Sequence, residues 1–305
     1  MKAASCASER IWGEAMETAK TAVALGLFDG VHLGHRAVLK LACGQRKNGL
    51  IPAVFTFEPQ SVSYKTGGAQ GFIYGRQYKH RLLDKCGIER ILSPEFEKLR
   101  TLSGEEFAET VLKQQFNAAF VCCGRDFRFG KNASCGTEEL AEICGRLGIE
   151  LQTAEDVICD GENISSRRIR TLINEGNIRR ANELLGEPYT LSGEVVDGNR
   201  IGRTIDFPTA NQNFLSGQLV LRYGVYKTVT CIDGTRFPSV TNVGVKPTIS
   251  GTRAPLAETH IIGFSGSLYG RTIDVSFIDF IRPERRFDSL DALKKQIHAD
   301  ILQCL

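Results

Sequence analysis

The chain has 305 residues, of which 42% are hydrophobic and 24% charged, with a formal net charge of +3. That balance describes a globular chain and excludes a strongly basic nucleic-acid coat, while tolerating anionic small molecules. No apolar run approaches the roughly 18 residues of a membrane span, and acidic Glu9, Glu14 and Glu17 leave no apolar core for a signal peptide.

A chain of this length is at the size where one core divides into two, so two domains are expected. The ten cysteines contain no C-x-x-C pair, which argues against zinc and against a disulfide framework. Cys122 and Cys123 fall in an apolar, strand-like run and read as small hydrophobes. The expectation is a reduced, cytoplasmic protein without membrane or nucleic-acid partners, a monomer or weak homo-oligomer.

Thr21 to Leu25 reads as a short buried strand. It runs through Gly26-Leu27-Phe28-Asp29-Gly30-Val31-His32-Leu33-Gly34-His35 into a helix whose apolar residues Leu33, Ala37, Val38, Leu41 and Ala42 share one face. A helix start offers unpaired N–H groups and a positive dipole end, a ready anion site. His32 and His35 are three apart, so both rings can point to one side. Gly34 between them brings no side chain to block a phosphate. Two ring donors plus amides suit phosphoryl chemistry, where charge stabilisation does most of the work.

Further strands are expected at Ile51–Phe57, 89–92, Ala118–Cys123 and 149–152, with helices at 77–86, after the Ser103/Glu106 capping box, and after a Thr137 cap. The polar, Gly-containing stretch 61–75 reads as a mobile loop. Strands alternating with helices imply a parallel α/β sheet with ligands at the strand C-termini. Asp126-Phe127-Arg128-Phe129 offers two aromatic faces interleaved with charges, apt for a planar ring carrying a phosphate, or simply two core anchors. Ser165, Ser166 and Arg170 start another helix with hydroxyls and a basic first turn, suited to a triphosphate or departing pyrophosphate.

Helices at 166–175 and 178–185 lead to Gly186-Glu187-Pro188-Tyr189, a turn signal and the expected domain boundary. Beyond it the period becomes two: Ile273, Val275 and Phe277 alternate with polar residues, and Asp233-Gly234 joins a hairpin. Several short strands in about 100 residues indicate a closed barrel. A terminal amphipathic helix follows, with Leu290, Leu293, Ile297 and Ile301 on one face and Asp288 or Ser289 as cap. Gly202 and Arg203 belong to a flexible basic loop before Phe207-Pro208-Thr209-Ala210-Asn211. A Thr hydroxyl and an Asn carbonyl are hard oxygen ligands of the kind Mg²⁺ accepts beside nucleotide phosphates.

Across residues 20 to 302 these motifs resemble the bacterial bifunctional riboflavin kinase/FAD synthetase family. Gly26 to His35 is similar to its H-x-G-H nucleotidyltransferase signature, which implies that Gly26, Phe28, Asp29 and Gly34 line a nucleotide site with His32 and His35. The resemblance implies that Asp126, Phe127 and Phe129 lie near the flavin, that Ser165, Ser166 and Arg170 hold phosphates, and that Gly202 and Arg203 serve the kinase. It further implies that Thr209 and Asn211 place Mg²⁺–ATP, and that Glu258 is the kinase base. The implied fold is a Rossmann-like α/β nucleotidyltransferase domain over 1–186, followed by an all-β riboflavin-kinase barrel with a C-terminal helix over 187–305. The implied reactions use riboflavin, FMN and ATP.

The chain departs from the family pattern at Gln60 and Ser61, where T-F-E-P-H-P is usual, and at Arg167, where Thr is usual. After Gly130 it lacks an Arg often seen there, and Asp206 stands where Gly is common. The alternative that Gln60, Ser61 and Arg167 raise is a riboflavin kinase with impaired or lost adenylyl transfer.

Overall fold

The computed structural model of the chain describes residues 19–62, 71–198, 207–247 and 253–304. Gly202, Arg203 and Asp206 lie outside them. The chain forms two compact units: Met1–Ser63 with Arg76–Ser165, and Tyr64–Gly75 with Ser166–Leu305.

The first unit is built on five parallel strands: β1 (Thr21–Leu25), β2 (Ile51–Phe55), β3 (Arg90–Leu92), β4 (Ala118–Cys123) and β5 (Glu150–Thr153). Their order is β3-β2-β1-β4-β5, so the direction of winding reverses between β1 and β4. In such a sheet the crevice beyond the strand C-termini at that reversal is where ligands bind. Every residue of β1 is buried, as a central strand covered on both faces requires. Around the sheet lie α1 (Leu33–Gly44), α2 (Arg76–Lys85), α3 (Gly104–Phe107, continued in wider turns over Ala108–Gln115) and α4 (Thr137–Leu147).

One core lies between Val23, Leu25 and Phe55 of the sheet and Phe107, Val111, Leu140 and Ile143 of the helices. α3 opens on the expected capping box, with Ser103 and Glu106 bonding reciprocally at 2.8 and 3.2 Å. α4 corrects the expected cap: Gly136, not Thr137, is the N-cap, and Glu139 reaches back to accept its N–H at 2.7 Å. A small hairpin, β6 (Ile158–Cys159) with β7 (Glu162–Asn163), precedes Ile164.

The second unit is a closed antiparallel barrel of β8 (Thr190–Val196), β9 (Thr209–Asn213), β10 (Gly224–Ile232), β11 (Thr235–Pro247), β12 (Arg253–Ile261) and β13 (Thr272–Arg282). The turn between β10 and β11 has Asp233 at φ 50° and Gly234 at φ 82°, the double left-handed conformation that suits a tight hairpin. Inside, Tyr226, Val243, Val275 and Phe277 pack beside hydroxyls. Thr230, Ser239, Thr228, Thr241 and Thr259 form one chain of hydrogen bonds at 2.8–2.9 Å across three strands. Each buried hydroxyl is thereby satisfied, which lets a small barrel close without voids around polar groups.

Two helices that precede the barrel in sequence pack with it, α5 (Ser166–Glu175) and α6 (Ile178–Leu185). Asn182 of α6 donates to Phe277 O at 2.8 Å and accepts from Tyr189 N at 2.7 Å. Phe72, expected in a mobile loop, is instead buried, exchanging backbone bonds with Gly217 and Leu219 at 3.1 and 2.8 Å. The last helix, α7 (Leu290–Leu302), is capped by Ser289. Its docking differs from the periodic reading. Leu290 is 60% exposed, whereas Asp300 is buried and receives Arg282 of β13 through Nε at 3.1 and 3.2 Å and a second nitrogen at 2.7 Å. Gln296 adds a bond to Asp300 at 2.7 Å, and Ile301 packs against Val225 and Val240.

Candidate active sites

The loop after β1 leaves the sheet at its winding reversal and is held in a strained shape. Phe28 has φ 47° and Val31 φ 42°. A β-branched residue there is a genuine outlier, of the kind that surrounding structure must enforce. Gly26 N–H donates to Phe55 O of β2 at 3.2 Å, and the Phe28 ring, 1% exposed, closes the loop from below. Asp29 is 2% exposed.

His32 is the N-cap of α1, and its Nδ1 accepts the backbone N–H of His35 at 3.3 Å. With Nδ1 used as an acceptor, the ring proton sits on Nε2, which makes that nitrogen a donor. The His32 and His35 rings stack at 3.6 Å and 19°, and Phe28 meets His35 edge-on at 5.3 Å. The spacing of three residues does bring both imidazoles together. Gly34 is tight as well as open: a Cβ there would sit 3.2 Å from His32 Cε1 and Nδ1 and 3.3 Å from Ile164 O. The backbone just before Ser165 therefore lies against the histidine turn, although 130 residues separate Gly34 from Ile164 (164 − 34). Ser165 ends the first unit; Ser166 and Arg170 are on α5 in the second.

The turn after β4 places the aromatic pair unequally. Phe127 N–H bonds Gly124 O at 3.2 Å, and Phe129 exchanges two backbone bonds with Cys135 at 3.0 and 3.1 Å. Phe129 is 7% exposed and belongs to the core beside Phe107. Phe127 stacks on it at 5.8 Å and is half-buried; Asp126 is exposed. Of the departures, Ser61 is used locally: its hydroxyl donates to Glu58 O at 2.8 Å and accepts Phe96 N–H at 2.9 Å. Arg167 is exposed.

In the barrel, register decides which residues can cooperate. Glu258 of β12 lies directly opposite Asn211 of β9, and His260 opposite Thr209. Opposed residues share a face, so all four project from one side. Thr259, 0% exposed, points the other way into the hydroxyl chain, so Glu258 is on the face turned away from that chain. His260 Nδ1 and Pro208 O are 2.9 Å apart, and Phe207 rests edge-on against His260 and His298 at 5.4 and 4.9 Å. Asn211 is 4% exposed and its Oδ1 has no hydrogen-bond partner among the described residues. A Cβ on Gly198 would collide with the Asn211 amide. A buried carbonyl oxygen left open beside a carboxylate fits a hard cation.

Both halves of the chain match families. The FAD synthetase family profile matches residues 14–168, and the riboflavin kinase profile matches residues 185–305. The bifunctional riboflavin kinase/FMN adenylyltransferase of Escherichia coli K12 is 36% identical over 282 residues, covering 91% of this chain and 90% of that one. This chain belongs to the bifunctional riboflavin kinase/FMN adenylyltransferase family. Its Pseudomonas fluorescens relative is 33% identical over 279 residues, covering 91% of this chain and 89% of that one. A crystal structure from Streptococcus pneumoniae, described as a macrolide-efflux protein, superposes with a TM-score of 0.83 at 31% identity, covering 95% of each chain. The described residues of this family member include no helix long and apolar enough to cross a membrane.

Sequence reasoning missed one residue at the first site. Lys79 of α2, 1% exposed, sends its ammonium to Leu27 O at 2.8 Å, Thr56 Oγ1 at 2.7 Å and Phe57 O at 3.1 Å. In the sequence a helical lysine reads as a solvated one, and nothing local marks this one as buried.

Proposed function

We propose that this chain makes FAD from riboflavin in two ATP-dependent steps, one on each half. The observation that carries the reading is the division of labour: the stacked imidazoles belong to the α/β unit and the Asn211–Glu258 pair to the barrel. The functional boundary is proposed at Gly186–Glu187, and the protein is proposed to act in the cytoplasm as a monomer or weak homo-oligomer, on small molecules and not on nucleic acid. Its nine described cysteines are all free thiols, in keeping with a reducing compartment.

In the barrel, Glu258 accepts the proton of the terminal ribityl hydroxyl as its oxygen attacks the γ-phosphorus of ATP, and ADP leaves. Thr209 and Asn211 would hold Mg²⁺, which when bound neutralises charge on the phosphates. His260 and Phe207 fix the loop that carries Thr209. Gly202 and Arg203 are proposed for the nucleotide on sequence grounds alone.

In the α/β unit, a phosphate oxygen of FMN attacks the α-phosphorus of ATP and pyrophosphate leaves. FMN is already a nucleophile at neutral pH, so no strong base is needed. His32 and His35 donate to the phosphate oxygens as charge builds on them. Gly26, Phe28, Asp29 and Gly34 shape the nucleotide side of the loop. Ser165 is suited to the polyphosphate tail; Ser166 and Arg170 are proposed for the same role from sequence. Asp126 and Phe127 face the flavin, with Phe129 backing Phe127 from the core.

Two variants test the division. His35→Ala is expected to cut FAD formation from FMN by about 10²-fold or more, the scale for one lost preorganised donor, while FMN formation survives. Glu258→Gln is expected to do the reverse. Equal loss of both activities in either variant contradicts the assignment.

A further inference from the structure

The ends of β1 and β2 meet on a buried charge. Lys79 Nζ lies within hydrogen-bond distance of three oxygens: Leu27 O, Thr56 Oγ1 and Phe57 O. The Thr56 hydroxyl in turn donates to the same Leu27 O at 2.8 Å. Leu27 directly precedes Phe28, where the strained, left-handed stretch of the histidine loop begins. We infer that Lys79 is a positioning residue for adenylyl transfer, clamping the Leu27 carbonyl so that the strained loop presents His32 and His35 to the nucleotide. The inference rests on the adenylyltransferase reading given above.

The geometry asks for the charged form. An ammonium has three N–H groups and all three are used here; a neutral amine would turn its lone pair toward one of the oxygens. The groups that face it are Asp29 from the loop, Glu58 from the segment after β2 and His80 on its own helix; Glu58 is also paired with Arg76 at 3.1 Å. Burial pulls the Lys79 pKa down to about 8, against the opposing pull of the Asp29 and Glu58 carboxylates. The clamp is therefore intact at neutral pH and released as pH rises through that range. A lysine that merely stabilised its own unit would lower the amount of folded enzyme and its melting temperature, and would leave kcat per folded enzyme and its pH profile alone.

The test uses the full-length chain with Lys79→Met and Thr56→Val, assaying FAD from FMN and Mg–ATP, and FMN from riboflavin. Lys79→Met is expected to lower kcat for FAD formation about 30-fold, with KM for FMN and ATP within about threefold, and FMN formation intact. In the wild type, kcat/KM for FAD formation is expected to fall as pH rises through a midpoint near 8, the range in which Lys79 of the free enzyme loses its proton. That limb should be missing from the residual activity of Lys79→Met. Should Lys79→Met fail to fold, Thr56→Val and the wild-type profile decide. Thr56→Val keeps the lysine but removes one acceptor, so it should lose about tenfold in kcat and show its alkaline limb at lower pH. A kcat within threefold of wild type in Lys79→Met overturns the inference. So does a wild-type kcat/KM that stays flat between pH 7 and 9.5. A wild type that makes no FAD at all defeats the adenylyltransferase reading instead.

Discussion

Gly34→Ala separates the histidine turn's chemistry from its stability. Gly34 has helical backbone without positive φ, so alanine needs no new backbone conformation. Its Cβ, however, would stand 3.2 Å from two atoms of the His32 ring and 3.3 Å from Ile164 O. Comfortable contact is roughly 3.5–4.0 Å, so the ring and the Ile164 carbonyl must retreat by a few tenths of an ångström or more. Overpacking of that kind costs about 1–3 kcal/mol. Alanine's better helix propensity returns up to about 1 kcal/mol of it. The net effect on stability is then about 0–3 kcal/mol, up to roughly 10 °C in Tm for a unit of this size. Catalysis should suffer more, because the displaced ring is a proposed donor and sub-ångström errors in such groups cost roughly 10- to 100-fold. The assay is FAD formation from FMN and Mg–ATP beside a thermal melt and the riboflavin kinase rate. A variant that forms FAD within twofold of wild type refutes the tight-turn argument. A variant whose Tm falls by well over about 10 °C while kcat per folded enzyme is unchanged would show that Gly34 serves the fold instead.

Two further outcomes follow from the barrel. Arg282→Met leaves the buried Asp300 carboxylate without its guanidinium and should destabilise the barrel unit by about 3–5 kcal/mol, roughly 10 °C in its melting transition. FAD formation from supplied FMN should persist at temperatures where FMN formation has gone; an unchanged melt would mean that α7 is held by Ile301 packing alone. Asn211→Leu keeps the branched shape but removes the open Oδ1, and should cut FMN formation by about 10²-fold or more while sparing FAD formation. A kinase rate unaffected by that change would remove Asn211 from the metal site.

How far the sequence carried the account depended on distance along the chain. The histidine pair was legible because strand, glycine turn and helix are consecutive, and a spacing of three puts both rings on one side. The barrel was legible from period-two alternation and the Asp233-Gly234 turn, yet the facing of Glu258 was not. That depended on its register with Asn211, 47 residues away (258 − 211), and on Thr259 taking the interior side. The approach of Ile164 to Gly34 is equally a tertiary fact. The burial of polar residues is not written in the local pattern. Lys79, Asp300 and the barrel hydroxyls look like solvated positions until their acceptors are placed around them. Phe129 shows the converse, an aromatic in a ligand-like motif whose ring the core uses. Residues 71–74 looked like loop because glycine and polar neighbours mask the burial of Phe72, Ile73 and Tyr74.

The central claim is that one polypeptide carries two working sites in series. It is tested most directly by giving the purified wild-type chain riboflavin, ATP and Mg²⁺ and separating the flavins chromatographically over time. The account predicts FMN first and FAD afterwards, with FAD also forming when FMN is supplied directly. FMN that accumulates without ever becoming FAD, from either starting flavin, would contradict it.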